Sequence, residues 1–333
     1  ALTEALQQSA IPPKALRDDG RTGLYCASPG SPRALHHHLN RLEATDWQRS
    51  DPLSIVKSVA GTLNFNLASH YGITGSNCGF VSACTSSSHA LGFAFDEIAL
   101  GRQDTMLVVA AEDGNAESLL PFQGMRALSS NQDPDTASRP FDRHRDGFVG
   151  SAGGAALVLE SQSTAQKRGA RPLAEMVAWG QASDGHNVAA PHPEGRGIRA
   201  AMTQCLNAAS IEATEIDWIN AHATSTPAGD RAEAIAIGSL PFSQALVSST
   251  KGLTGHGLSF AGALEAALCV LCLDKNLIPG NAALVEPDPV CEGLRLPTLS
   301  ESKKPFRLAL NNSSGFGGSN VSHLFARPTP DPD

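Results

Sequence analysis

The sequence predicts an α/β fold in which mostly parallel sheets are covered by helices on both faces. The 333-residue chain is 41% hydrophobic and 17% charged, which is enough apolar material for a large core. Short apolar runs alternate with longer segments of helical periodicity along most of the chain. That alternation is typical of parallel strands joined by crossover helices.

Apolar runs and breaker residues locate the elements of the first half. Pro12-Pro13 ends an opening helical segment, and Gly101 ends the helical pattern that follows the cysteine at position 84. The predicted elements are the end of a helix and a connector over 1–16, a strand over 23–27, a helix over 54–71, a strand ending at 81, a helix over 90–99 and a strand over 105–111.

A second series of alternating elements begins near Gly154. Its long apolar helix over 259–273 is expected to be buried on several faces. The predicted strands are 155–160, 173–180, 216–221, 246–250, 308–312 and 321–326, and the predicted helices end near 169 and cover 197–208, 230–238 and 259–273.

Charge and composition exclude several classes of protein. The net charge of −8 argues against general nucleic-acid binding. No apolar run approaches membrane-spanning length, and nothing at Ala1 resembles a signal peptide. Seven scattered cysteines, an odd count, favour a reducing compartment. We therefore expect a cytoplasmic protein that binds neither nucleic acid nor membrane.

Two short patterns could indicate a metal or redox site. Cys269 and Cys272 form a C-x-x-C motif inside an apolar helical run, where packing is the better interpretation because no second ligand pair follows. The histidines at 36–38 are adjacent in sequence, so they do not share one helix face, and a solvated surface explains them better. We expect neither a metal nor a cofactor.

A cysteine stands where a predicted strand turns into a predicted helix. The run from Val81 to Leu91 reads Val-Ser-Ala-Cys-Thr-Ser-Ser-Ser-His-Ala-Leu, and its hydroxyl residues favour a helix N-cap. Unpaired backbone N–H groups and the positive end of the helix dipole lie at such a position. Both favour the thiolate of Cys84 as a nucleophile. A buried structural cysteine is the alternative interpretation.

Five further motifs change the balance between these interpretations. Together with the cysteine turn they resemble the β-ketoacyl–[acyl carrier protein] synthases of the elongating Cys-His-His type, which belong to the thiolase superfamily. The resemblance runs in register from about 51 to 327. The motifs are Arg-Pro-Phe-Asp-Arg (139–143), Asp-Gly-Phe-Val-Gly (146–150), Asn-Ala-His-Ala-Thr-Ser-Thr-Pro (220–227), Ser-Thr-Lys-Gly-Leu-Thr-Gly-His (249–256) and Asn-Ser-Ser-Gly-Phe-Gly-Gly-Ser-Asn (312–320).

The resemblance implies a fold, a reaction and partners. The fold would be thiolase-like, with five α-β-α-β-α layers and two pseudo-repeated halves over 1–165 and 166–333. The reaction would be decarboxylative Claisen condensation of an acyl group on Cys84 with malonyl-acyl carrier protein, in fatty-acid or type II polyketide-like elongation, polyenes included. The partners would be acyl- and malonyl-loaded carrier protein and, in a homodimer or heterodimer, a related subunit.

The resemblance also assigns roles to the central residues. Cys84 would be the acylated nucleophile, and its amide with that of Phe316 would form an oxyanion hole. His222 and His256 would polarise the malonyl carbonyl. Lys251 and Glu265 would orient the second histidine, and a glutamate inside an apolar helix is hard to explain without such a partner.

The remaining assignments concern substrate entry. Phe316 would be a gate, with Gly315 and Gly317 allowing its loop to swing. Thr224 and Thr226 would bind the phosphopantetheine arm, although both could instead cap the helix that contains Asp230. Arg126 matches a basic contact to the carrier protein.

Related classes fit less well. A degradative thiolase would need a second cysteine near the C-terminal glycine loop, where there is none, and a chain-starting synthase would have asparagine in place of His256. An α/β-hydrolase would place glycines around the nucleophile, where Ser82 and Ser86 stand. The rival from another class is a non-catalytic partner subunit like a chain-length factor, a type that typically lacks the cysteine.

The first segment of this chain that matches the family motifs corresponds to a position well after the start of the family's sequence pattern. We therefore expect the N-terminal half to be incomplete, with one strand missing from its sheet and an unpaired edge exposed. Either an upstream segment precedes Ala1 or a partner covers the edge. In both cases we expect the isolated chain not to be a stable monomer.

Overall fold

The computed structural model describes residues 1–49, 51–302 and 305–328. Up to residue 160 the chain forms α1 (Leu2–Gln8), β1 (Thr22–Ala27), α2 (Pro32–Ala44), α3 (Thr62–Tyr71), β2 (Asn77–Phe80), α4 (Ser86–Ala99), β3 (Thr105–Glu112), α5 (Ala116–Gly124) and β4 (Gly153–Glu160). It continues with α6 (Gln162–Lys167), β5 (Glu175–Ser183), α7 (Arg196–Ala209), β6 (Trp218–Asn220), α8 (Pro227–Gly238), β7 (Leu246–Ser248), α9 (Lys251–Thr254), α10 (Ala261–Lys275), β8 (Leu308–Gly315) and β9 (Ser319–Ala326).

The predicted alternation of strands and helices is confirmed, with three differences in the first half, one of which is α5, a helix that the sequence analysis did not predict. The sequence predicted no helix over Pro32–Ala44, yet α2 begins there with a Ser31 cap and proline in its first turn, a standard helix start. The predicted helix over 54–71 is split into a short 3-10 turn and α3, because Gly61 has φ 96° and interrupts the helical conformation.

Two mixed sheets form the frame of the molecule. The first sheet has the strand order β2-β1-β3-β4, in which β2, β1 and β3 are parallel and β4 is antiparallel to β3. The second sheet repeats this scheme in the order β7-β6-β8-β9 and adds β5, which is antiparallel to β9. Four of the seven strand pairings among the described residues are parallel, in keeping with the prediction of mostly parallel sheets, and the antiparallel ones involve β4, β5 and β9. The link from β8 to β9 is only a short turn over Phe316–Gly318, too short for a parallel crossover.

The helices and sheets form five layers that pack through three apolar clusters, which confirms the predicted α-β-α-β-α order. The central cluster contains Leu91 of α4 and Ala263 of α10, packed between Met106 of the first sheet and Phe325 of the second. A second cluster fills the space between the first sheet and the outer helices α1 and α3, and a third lies between the second sheet and α7 and α8. Hence α4 and α10 are the buried middle layer.

The two sheets differ by one strand. The first has four strands and the second has five, and β5 has no counterpart beside β4 among the described residues. One side of β4 is therefore an unpaired sheet edge in the described part of the chain, as the sequence predicted. No helix among the described residues is long and apolar enough to span a membrane.

Candidate active site

Cys84 lies in the tight turn between β2 and α4. Ala83 has φ 50°, a left-handed conformation that is uncommon outside glycine. The Ser86 hydroxyl holds this turn, since it accepts a hydrogen bond from the Ser82 amide (2.8 Å) and donates one to the Ala83 carbonyl (2.6 Å). The turn thus presents Cys84 at the start of α4, as the sequence predicted.

The hydroxyl residues after Cys84 connect its turn to the second sheet. Thr85 Oγ1 donates to Ser319 Oγ at 2.9 Å, and Ser88 Oγ donates to Ser313 Oγ at 2.7 Å. Ser313 and Ser319 belong to β8 and β9. The hydroxyl run therefore fixes the nucleophile turn against the other half of the molecule, which the N-cap interpretation alone did not anticipate.

Two histidines from the second half of the chain meet at Cys84. His222 follows β6 and His256 follows the helix after β7, so the two parallel strands deliver both to the same end of the sheet. His256 Nε2 lies 3.1 Å from Cys84 Sγ. The imidazole rings of His222 and His256 are 5.3 Å apart and nearly perpendicular. The structure thus brings the three predicted residues together.

Burial sets the protonation of this cluster. It lowers the pKa of His222 and of His256 well below the usual value, and the charge of Lys251 acts in the same direction. Burial also raises the pKa of Cys84 to about 12, although Lys251 opposes the shift. Burial therefore outweighs the groups that favour a thiolate, and the resting site is a thiol beside neutral imidazoles.

A pH prediction follows for the thiol. We expect the rate of carbamidomethylation at Cys84 to rise continuously between about pH 7 and pH 10, because its raised pKa of about 12 keeps the thiol protonated over that range. Peptide mass spectrometry of samples quenched at each pH measures this rate. A plateau below about pH 8 would show that the thiolate is already stabilised in the resting site.

Lys251 and Glu265 form a fully buried ion pair next to the histidines. Both side chains are 1% exposed, and Lys251 Nζ donates to Glu265 Oε1. Burial raises the pKa of Glu265 to about 7, and Lys251 opposes this. The pairing predicted from an isolated glutamate in an apolar helix is present. Among the described residues no hydrogen bond joins either side chain to Cys84 or to the two histidines, and Lys251 reaches all three through its charge.

We expect Lys251→Met to cost about 3–5 kcal/mol of unfolding free energy, since it leaves the Glu265 carboxyl buried without a partner. The double variant Lys251→Met/Glu265→Gln should recover part of that loss because the charge is removed as well. Urea denaturation measures both. The control is Lys275→Met, where the lysine is 74% exposed and the expected change is within about 0.5 kcal/mol.

Glu233 is a buried residue of the site that the sequence analysis missed. Its carboxylate accepts hydrogen bonds from the backbone amides of His222 (2.9 Å) and Ala223 (2.8 Å) and from Asn312 Nδ2 (3.1 Å). It therefore fixes the backbone that carries His222. The sequence does carry a signal for Glu233, the same one that singled out Glu265: a carboxylate within an apolar helical segment.

Phe316 lies at the mouth of the site. It is 36% exposed, and its ring is 5.9 Å from that of Phe122. Gly317 has φ 80°, a conformation that glycine adopts without strain. Gly315 is extended, but a Cβ there would lie 3.1 Å from the Cys84 amide nitrogen. A side chain at position 315 would thus crowd the nucleophile turn, which β8 approaches closely.

The two threonines do not cap the helix that follows them. Thr226 occupies the N-cap position of α8, yet its side chain makes no capping hydrogen bond. Instead the hydroxyls of Thr224 and Thr226 lie 3.1 Å apart, and Asp230 accepts from the Ser225 amide at 3.1 Å. The capping alternative is therefore wrong. Arg126 is exposed at the end of α5.

The two patterns considered for metal or redox chemistry lie elsewhere. Cys269 and Cys272 are buried in α10 within the central apolar cluster, and both are free thiols. The histidines at 36–38 lie on α2, a helix with no buried residue. Among the described residues, no group of three or more His, Cys, Asp or Glu side chains could hold a metal ion.

A cysteine and two histidines at the meeting point of two such sheets define a thiolase-like protein. Family models agree: the N-terminal domain of β-ketoacyl synthases matches residues 1–165, and the C-terminal domain matches residues 173–284. The chain belongs to the β-ketoacyl synthase family.

Relatives and solved structures share most of this chain. It is 36% identical over 336 residues to 3-oxoacyl-[acyl-carrier-protein] synthase 1 of Haemophilus influenzae, covering 98% of this chain and 80% of that one. The mitochondrial 3-oxoacyl-[acyl-carrier-protein] synthase of Arabidopsis thaliana is 38% identical over 292 residues, 84% of this chain, which spans 62% of that relative's length. A β-ketoacyl synthase from Burkholderia phymatum superposes with a TM-score of 0.90 at 31% identity, covering 98% and 80% of the two chains.

Two further solved structures are complexes. One is a type II polyketide acyl-carrier protein with its ketosynthase bound to a hexaketide (TM-score 0.91, 26% identity, 98% of this chain and 83% of that one). The other is the ishigamide ketosynthase/chain length factor (TM-score 0.87, 27% identity, 97% of this chain and 79% of that one).

Proposed function

We propose that this chain is an elongating β-ketoacyl–[acyl carrier protein] synthase. It would hold an acyl group as a thioester on Cys84 and condense it with malonyl-acyl carrier protein, in fatty-acid or type II polyketide-like elongation. The observation that carries the proposal is the position of His256 Nε2, 3.1 Å from Cys84 Sγ, with the His222 ring beside it. No metal or cofactor is needed for this chemistry.

The first step transfers the acyl group. Cys84 Sγ attacks the thioester carbonyl of the acyl carrier protein, and its proton moves to the adjacent His256 Nε2, which is neutral and can accept it. The carrier's phosphopantetheine sulfur leaves as the new thioester forms and takes up the proton. Because the resting thiol has a raised pKa, proton acceptance at Nε2 is what makes this attack possible.

The second step forms the carbon–carbon bond. Malonyl thioester loses CO2, and the electron pair of the broken bond gives an enolate whose oxygen needs hydrogen-bond donors. Neutral His222 and His256 each carry one N–H for this purpose, and His256 must hold its proton on Nε2 here, the tautomer opposite to the one that accepts the proton of Cys84. The enolate carbon then attacks the acyl carbonyl, and the amides of Cys84 and Phe316 stabilise the oxyanion. As the oxyanion collapses, Sγ leaves as a thiolate, which takes up one proton from water to regenerate the thiol.

Phosphopantetheine and carrier binding would use the mouth of the site. The paired hydroxyls of Thr224 and Thr226 can hydrogen-bond the amides of the arm, and Phe316 closes over it. Exposed Arg126 gives a positive charge beside the entrance for an acidic carrier protein. The support from relatives is a solved ketosynthase in complex with its carrier protein.

A subunit of the same fold is the second proposed partner. Strand β2 is a sheet edge made largely of exposed residues, and exposed Val81 and Phe65 lie next to it in the fold. Such an edge is suited to pairing with another chain. We further propose that the protein works in the cytoplasm, for which the support is that all seven cysteines are unpaired.

A non-catalytic partner subunit is the competing function. Incubation with a labelled acyl-carrier protein, followed by intact-protein mass spectrometry, separates the two. An enzyme gains one acyl mass on Cys84 and releases CO2 from malonyl-carrier protein, whereas a chain-length-factor-like subunit gains none. Absence of both signals from the folded chain, alone and with a related subunit added, would refute the proposal.

A further inference from the structure

Apolar side chains surround Cys84. Phe148 and Leu258 are buried beside it, and Leu119 and Phe122 of α5 pack against them half-buried. An acyl group attached to Sγ must find its space among these side chains. Because protein interiors are close-packed, at least one of these four side chains has to move aside, or be replaced by a smaller one, before a longer acyl chain can fit.

Helix α5 is the least anchored part of these surroundings. None of its nine residues is buried, and Pro121 lies in its interior. Proline has no N–H, so the helix lacks one internal hydrogen bond at that turn. Phe148 and Leu258, in contrast, are only 4% and 7% exposed. The side chains of Leu119 and Phe122 can therefore move more easily than those of Phe148 and Leu258.

Within α5 the two side chains face different parts of the site. Phe122 contacts the ring of Phe316 at the mouth. Leu119, one turn earlier, lies over Gly150, where an added Cβ would be 2.6 Å from Leu119 Cδ2. Gly150 in turn pairs with His256 in an isolated bridge. The Leu119 side chain thus fills the space alongside the segment that carries His256, deeper than the gate.

We infer that Leu119 sets the length of acyl chain that Cys84 can hold. The inference rests on the proposed function and adds a specificity-determining residue to it. The isobutyl group occupies the space left by the missing side chain of Gly150, and an acyl chain extending from Sγ along α5 competes for that space. A smaller residue at this position opens the site to longer chains, and a volume-conserving residue leaves it unchanged.

The test uses acyl-carrier protein thioesters of increasing saturated chain length. The acylated fraction of the wild-type chain, Leu119→Ala and Leu120→Ala is read by intact-protein mass spectrometry after a fixed time. We expect Leu119→Ala to move the upper length limit by about two to three methylenes, with acylation at the wild-type limit rising on the order of tenfold. Leu120 is 63% exposed on the same helix, so Leu120→Ala should keep the wild-type profile.

Equal profiles for wild type and Leu119→Ala, or equal shifts in Leu119→Ala and Leu120→Ala, overturn the inference. If Leu119→Ala is not recovered folded, Leu119→Val replaces it; removal of one methylene should extend the limit by about one carbon, and no extension is again a refutation. Leu119→Met should resemble wild type. Failure of the wild-type chain to take up any acyl length would instead refute the proposed function.

Discussion

Cys84→Ala is expected to abolish acyl transfer to the protein while some decarboxylation of malonyl-carrier protein remains. The reason is the division of labour in the site: Sγ holds the acyl group, whereas the N–H groups of His222 and His256 stabilise the enolate. Alanine removes the sulfur without adding bulk beside the histidine rings. Intact-protein mass spectrometry after incubation with acyl-carrier protein measures the adduct, and release of labelled CO2 measures the second activity.

The control for this experiment is Cys78→Ala. Cys78 is the exposed thiol of the chain, whereas the other six cysteines are buried, so it is the residue most open to non-specific acylation. Cys78→Ala should acylate like the wild type. An acyl adduct on the Cys84→Ala variant at wild-type level would show that the nucleophile is another residue.

The sequence predicted the reactive trio because each member stands beside an element boundary. Cys84 follows a strand and opens a helix, and His222 follows a short buried strand. Parallel strands bring such boundary residues to the same end of a sheet. The resemblance to the family motifs then indicated that the three residues lie together in the folded protein. Local signals and motifs were sufficient here because the chemistry depends on backbone positions that the strands determine.

Long-range contacts account for what the sequence did not predict. The thiolate expectation considered only the helix start, but the raised pKa of Cys84 results from burial by residues distant in sequence, such as Leu258. Two of the three hydrogen-bond partners of Glu233 are backbone amides, which no side-chain motif displays, so only its place in an apolar helical segment could have pointed to it. Likewise, the antiparallel direction of β9 follows from the short connection after β8 rather than from the apolar pattern of the strands.

The two histidines are expected to differ when each is replaced by alanine. Removal of an oxyanion donor typically costs about two to three orders of magnitude in rate, so both variants should release CO2 from malonyl-carrier protein that much more slowly. Only His256 has its Nε2 within 3.1 Å of Cys84 Sγ. We therefore expect His256→Ala also to slow acylation, because the thiol with its raised pKa loses its proton acceptor, whereas His222→Ala should acylate near the wild-type rate.

Single-turnover acylation and CO2 release, measured on the same preparations, separate these effects. The matched control is His89→Ala: His89 lies on α4 near the turn, but its Nδ1 bonds Ser82 Oγ at 2.9 Å and it has no place in either proposed step. Near-normal decarboxylation in both His222→Ala and His256→Ala would contradict their proposed roles. Equal acylation rates in the two variants would show that His256 does not accept the proton of Cys84, and that the thiol is deprotonated by another route.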